Sequence, residues 1–277
     1  MVTLPALALL LVACEWDAGQ FLFHPTVEER MEENLSGALP APQPVAVNPD
    51  SFTFAVFGDP QIHSDLEHRL GVFADSARAQ GLDFFCVLGD LTHDAYVSEY
   101  NTVRSQLDAV GIPYYVTIGN HDLYNRGGWE RFTGHWGPSA YSVAIVDKLK
   151  LIFLDTADGM LGETQFDWLE GQLDDDRQYH KVVCTHFPIY CGERPLWGRL
   201  ARADERYRLL SLLHSGGVET YCAGHIHAWR HDYIDSLDHF VVGTMPARNE
   251  YFDYGKPGYL LFSLVRDTLT WRRVEFE

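Results

Sequence analysis

Five places in this sequence carry side chains that bind metals or move protons. They are Asp59, Asp90, the run Asn120-His121-Asp122, His186, and the pair His225 and His227. Each closes a short, largely apolar run of strand length: 52–57, 84–88, 114–118, 181–185 and 220–223. Asp90 is the centre of the pattern. A carboxylate at the C-terminal end of a buried strand faces the crevice where α/β sheets place ligands, and its two oxygens can serve two metal ions. Carboxylate, carboxamide and imidazole without thiolate suit Mn, Fe or Zn. Two such ions, roughly 3.5–4 Å apart, polarise a phosphoryl group and generate a hydroxide that attacks phosphorus in line. A histidine that is not a ligand then protonates the leaving oxygen, and His121, next to Asn120, has that position. One Gly-Asp is ordinarily a turn, and one Gly-His a satisfied core histidine. Five such endings in order make a pattern that chance does not readily produce.

The elements that must position these residues follow from periodicity. A strand over 52–57 is followed by a helix over 65–79, with Leu66, Leu70, Phe73 and Ala77 at helical spacing and Gly81 as its stop. The strand over 84–88 precedes a helix over 95–109, and a strand over 114–118 completes three strand–helix units. That alternation implies parallel strands joined by right-handed crossovers. The second half reads as richer in β structure. Paired strands are expected over 141–146 and 149–155, helices over 164–173 and 204–213, and largely antiparallel closing strands from Trp229 onward.

Together, Gly58-Asp59, Gly89-Asp90, Gly119-Asn120-His121-Asp122, His186 with Pro188, and Gly224-His225-Ile226-His227 resemble the signature of the calcineurin-like metallophosphoesterases. The resemblance runs from about Phe52 to the C-terminus. It implies an α/β fold, a β-sandwich of mixed sheets flanked by helices (α/β/β/α), with a dinuclear site across the strand ends. One metal would take Asp59, Asp90 and His227, and the other Asp90, Asn120, His186 and His225. His121 would position the phosphate and protonate the leaving group, with Asp122 orienting it. The family's first motif is usually Asp-x-His, whereas this chain has Asp59-Pro60-Gln61. Either the Gln61 amide oxygen serves the first metal, or His63, two residues on, substitutes for it. His93, Arg199 and Arg248 are further substrate-binding candidates. Tyr190 and Trp197 share the Gly/Pro-punctuated loop that holds Arg199.

Bulk properties narrow the substrate. Of 277 residues, 21 are basic and 39 acidic, a net charge of −18, so a nucleic-acid partner is not expected. A small phosphorylated substrate remains open, because metal ions supply local positive charge. Phosphomonoester and phosphodiester hydrolysis both fit. The rivals are a catalytically weak metal- and phosphate-binding lipoprotein, with the first metal lost through Gln61, and a protein phosphatase. Residues 1–13 read as a signal peptide whose Leu11-Val12-Ala13-Cys14 ending resembles a lipobox, making Cys14 the lipidated residue. On that reading residues 14–50 are a tether, with a short acidic helix over 26–33 capped by Thr26 and a proline-rich extended stretch over 39–44; residues 51–277 are the catalytic domain, and the protein is exported and membrane-anchored, in the periplasm or on the outer cell surface. Cys86, Cys184 and Cys222 lie in apolar runs and read as core residues.

Overall fold

The computed structural model describes residues 24–63, 68–174, 180–192, 198–246 and 256–276. Cys14 and the whole signal segment, Trp197 and Arg248 lie outside these residues. Among the described residues no helix is long and apolar enough to cross a membrane.

Two sheets face one another. The first has the order β11-β10-β1-β2-β3, formed by β1 (Ser51–Phe57), β2 (Phe84–Leu88), β3 (Tyr114–Thr117), β10 (Gly258–Val265) and β11 (Thr268–Glu275). Here β1, β2 and β3 are parallel, and β10 and β11 close the edge antiparallel. The second has the order β4-β5-β6-β7-β9-β8, formed by β4 (Tyr141–Ile145), β5 (Leu149–Phe153), β6 (His180–Cys184), β7 (Thr220–Ala223), β8 (Trp229–Ile234) and β9 (Leu237–Val242). Its four central strands are parallel, with β4 and β8 as antiparallel edges.

Strand periodicity explains the layering. Successive side chains point to opposite faces. Phe52, Phe54 and Val56 of β1, with Phe84, Cys86 and Leu88 of β2, face the second sheet and meet Leu151, Phe153, Cys184, Cys222 and Phe240. The alternate residues Ala55, Phe57, Phe85 and Val87 face outward, onto Phe73 of α2 (Leu70–Gln80) and Val103 and Leu107 of α3 (Val97–Ala109). On the far side, Ile152, Val183 and Tyr221 pack against Phe166 and Leu169 of α5 (Glu163–Leu173) and Leu209 and Leu213 of α6 (Ala203–Ser215). The result is the α/β/β/α sandwich that the resemblance implies. Gly81 ends α2 in a left-handed conformation at φ 63°.

One expectation needs correction, and two helices add to the picture. The strand near Phe240 is not an antiparallel closing strand: β9 runs parallel to β7 and antiparallel only to β8. A helix the periodicity missed, α4 (Gly128–Trp136), follows the Asn120 loop. The short helix expected over 26–33 with Thr26 as its cap is present as α1 (Val27–Leu35), begun by a capping box between Thr26 and Glu29, and it is docked on the domain. Arg30 is fully buried and grips Asp155 through Nε at 2.8 Å and Nη2 at 2.7 Å. Glu28 accepts from the backbone N–H groups of Glu163 and Thr164, capping the N-terminus of α5 from another element.

Candidate metal centre

The ligand candidates all leave strand ends on one edge of the sandwich, and their backbones are bent to do so. Asp59, Gln61, Asp90 and His225 have φ of 60°, 38°, 48° and 66°. This left-handed conformation costs a residue with a Cβ roughly 1–2 kcal/mol, and such strain gathers at functional sites. It turns each side chain sharply inward from its strand. The preceding glycines are there for space. A Cβ on Gly224 would stand 2.5 Å from Asp59 Oδ2, and one on Gly119 would overlap the backbone nitrogen and carboxylate of Asp90.

Hydrogen bonds then fix which atom faces the centre. His186 Nδ1 lies 2.8 Å from the Leu88 carbonyl oxygen, so Nδ1 is the donor and Nε2 presents a lone pair when the ring is neutral. Asn120 Nδ2 donates to Tyr124 Oη at 3.1 Å, so its Oδ1 faces inward. That oxygen lies 3.0 Å from both His186 Nε2 and His225 Nδ1. His186 Nε2 is also 3.2 Å from Asp90 Oδ1 and 3.3 Å from His225 Nδ1. A carboxylate, an amide oxygen and two imidazole nitrogens thus converge on one largely buried space. The donor set fits a divalent metal. Ligand atoms of Asp90, His186 and His225 lie within 4.8 Å of one another.

Charge responds accordingly. Burial disfavours ionisation of Asp90, but His186 and His121 outweigh it and hold the carboxyl well below the usual range. Burial likewise disfavours the His186 cation, yet Asp90 lifts that ring to about 9. Here a proton does what a metal would do. Asp59 goes the other way: burial pushes its carboxyl well up, against the pull of His186 and with the repulsion of Asp90 added.

The remaining predicted ligands lie beside these residues. Asp59 is fully buried, accepts the His225 N–H at 2.9 Å, and has His227 Nε2 at 3.9 Å. Gln61 is buried with its amide 3.4 Å from Asp90 Oδ2; a flip of that amide would offer its oxygen instead. The His63 ring, the other candidate, packs edge-on against His93, at 4.9 Å between centroids.

His121 stands beside this centre, with Nε2 4.0 Å from Asp90 Oδ2. Its Nδ1 lies 2.6 Å from the His93 carbonyl oxygen, which can only accept, so Nδ1 keeps its proton and Nε2 is left for chemistry. Asp122 does not orient this ring. Its oxygens accept from the N–H groups of Leu91, Thr92 and Gly119 and from the Thr92 hydroxyl. Asp122 therefore braces the Asp90 and Asn120 loops against each other. Burial and the nearby Asp90 charge lift its carboxyl to about 6.

Sequence reasoning missed Tyr124. Its hydroxyl orients Asn120, lies 3.2 Å from His121 Nε2, and its ring packs on that imidazole. The signal was available, since Asn120 and Tyr124 are four residues apart, about one helical turn. Phe187 was missed too; it stacks on His225 at 3.8 Å between ring centroids. Arg199 is half-buried, and no hydrogen bond joins it to the centre among the described residues. His239 is a structural histidine, buried, with its pKa lowered to about 4 by burial and Nε2 accepting the Ile189 N–H at 3.2 Å.

Comparison with known proteins decides the family. A model of calcineurin-like phosphoesterases matches residues 52–229, the stretch that contains every one of these ligands. The chain belongs to the calcineurin-like phosphoesterase family. The family is one of metal-dependent phosphoric-ester hydrolases. A probable cyclic nucleotide phosphodiesterase of Synechococcus is 27% identical over 52% of this chain; the match spans 58% of that relative, somewhat over half its length. A probable cyclic nucleotide phosphodiesterase of Fibrobacter succinogenes is 23% identical over 79% of this chain and 84% of its own. Among solved structures, a dimetal phosphatase from Danio rerio superposes with a TM-score of 0.60 at 17% identity, covering 81% of this chain and 96% of that one. A purple acid phosphatase from yellow lupin gives 0.64 at 16% identity, covering 87% and 54%. At such identities these two likenesses speak for the calcineurin-like sandwich alone.

Proposed function

We propose that this phosphoesterase hydrolyses small phosphodiesters, cyclic nucleotides first among them, at a dinuclear centre bridged by Asp90. The observation that carries the centre is the convergence of tautomer-fixed His186 Nε2, amide-fixed Asn120 Oδ1, His225 Nδ1 and Asp90 Oδ1 within about one coordination sphere. Asp90, Asn120, His186 and His225 would hold one ion, and Asp59, Gln61, Asp90 and His227 the other. Bound there, Mn, Fe or Zn supplies charge for the phosphoryl oxygens and a lowered water pKa.

The chain's own groups do the rest. His121, with Nδ1–H held by the His93 carbonyl, carries its second proton on Nε2 and delivers it to the leaving alkoxide. Tyr124 packs on that ring and accepts from the Asn120 amide, tying the two together. A protein that only binds phosphate has no need of a positioned proton donor, which favours turnover. The relatives' names support the diester class, and the net charge of −18 favours small substrates over polyanions.

The test is a substrate panel. Metal-loaded full-length protein should open cyclic nucleotides and cleave a bis-aryl phosphodiester faster than the matching monoester. Hydrolysis confined to monoesters, or to phosphoproteins, would set the diester reading aside. The exported, lipid-anchored state through Cys14 belongs to the same proposal. Mass spectrometry of the mature N-terminus decides it, and an unlipidated Cys14 ends it.

A further inference from the structure

Past the ends of β1 and β2 the two chains stay paired for one more step. Ile62 and Thr92 form an isolated parallel bridge. The Ile62 N–H donates to the Leu91 carbonyl at 2.9 Å, and the His93 N–H to the Ile62 carbonyl at 3.1 Å. His63 and His93 are therefore the next residues in register, and register neighbours on parallel chains share a face. Their rings meet edge-on, with centroids 4.9 Å apart. Backbone bonds hold both in place. His68 Nε2 lies 2.8 Å from the His63 carbonyl oxygen, and the His93 carbonyl accepts His121 Nδ1 at 2.6 Å. Asp94 follows directly, its Oδ2 3.2 Å from His93 Nδ1.

We propose that His63, His93 and Asp94 form a second cation site, separate from the Asp90 centre, that takes a borderline divalent ion such as Zn2+ or Co2+. One ligand atom from each lies within 4.8 Å of the others. Ligands at Zn bond lengths stand about 3.4 Å apart along a tetrahedron edge, close to the 3.2 Å separation already present between His93 and Asp94. Two imidazoles and one carboxylate select Zn2+, Co2+ or Ni2+ over Mg2+ and Ca2+, which prefer all-oxygen sites. All three residues are partly exposed, so coordination positions stay open for water or an anionic oxygen. The His93 and His121 rings are 5.4 Å apart between centroids, which sets the ion one imidazole away from the proton donor.

Full-length protein, stripped with chelator and redialysed against Zn2+, should take up one ion more per chain than the His63→Ala/His93→Ala variant. Asp90→Asn impairs the main centre, yet that variant should still bind a Zn2+ that is lost when His63→Ala is added, whatever the activity. Asp94→Asn keeps both rings and should also lose the ion, which covers the case of a misfolded double variant. Anomalous diffraction at the zinc edge should show a peak between the three side chains. Equal uptake by the wild type and all these variants, or anomalous density confined to the Asp90 centre, overturns the proposal. A raised KM in the double variant with unchanged metal content would also overturn it, since the histidines would then be contacting substrate alone.

Discussion

Replacing Arg30 by alanine removes the cation that fastens α1 to the end of β5. Neither Arg30 nor Asp155 has measurable exposure, and two bonds of 2.7 and 2.8 Å join them. Arg30 also donates to the Pro25 carbonyl at 2.6 Å. Removing one partner of such a buried pair strands the other charge, at a cost of about 3–5 kcal/mol. In a chain of this size 1 kcal/mol moves the midpoint by roughly 2–4 °C, so Arg30→Ala should lower Tm by at least about 6 °C at pH 7. Asp158→Asn is the internal comparison. Its carboxylate is 12% exposed and 3.2 Å from Arg30, so the loss should be nearer 1 kcal/mol, about that of a solvent-screened pair. The acid side gives a second readout. Burial works against ionisation of Asp155, but Arg30 outweighs it and depresses the carboxyl. A depressed carboxyl contributes stability above its unfolded pKa of about 3.9 and loses it as the pH falls through the lower folded value. The gap between wild type and Arg30→Ala should therefore narrow in acid. Calorimetry over a pH series measures both, and a gap below about 2 °C at pH 7, or one that widens in acid, refutes the docking account.

Other outcomes follow from the site. Tyr124→Phe should lower both metal affinity and kcat by about tenfold, because it frees the Asn120 amide and the His121 ring together; isothermal titration and steady-state kinetics read the two. Gly119→Ala places a methyl group into the Asp90 backbone and carboxylate. It should abolish metal retention, checked by elemental analysis, with at least about 1–3 kcal/mol of lost stability. Metal must displace the His186 proton, which is held up to about 9. Apparent affinity should accordingly rise about tenfold per pH unit towards that value, and a flat affinity from pH 6 to 8 would contradict the assignment.

The strand ends were legible because each combines an apolar run, a break and a polar ligand within a few residues. Their convergence on Asp90 followed from parallel strands sharing one C-terminal edge. The orientation of β9 was not legible, since period-2 alternation specifies a face and not a direction. The helix α1 and its Thr26 cap were legible, but its docking was not, because its acidic surface and proline-rich sequel suggested a spacer. Arg30 becomes a core residue only through Asp155, 125 residues away. The role given to Asp122 failed for a related reason. A backbone carbonyl, that of His93, holds His121, and a carbonyl leaves no signature in residue type. His63 and Gln61 could not be told apart by spacing alone; in the structure the Gln61 amide lies 3.4 Å from Asp90 Oδ2, whereas the His63 ring meets that of His93.

The central claim is that Asp90 joins two metals in a hydrolytic centre. Chelator-stripped full-length protein should be inactive on a bis-aryl phosphodiester and should regain activity as Mn2+ or Zn2+ is titrated in, reaching its plateau only after the second high-affinity ion binds. Asp90→Asn should lose both that second ion and the hydrolysis. Full activity in the stripped protein, or an Asp90→Asn variant with unchanged metal content and rate, would contradict the account.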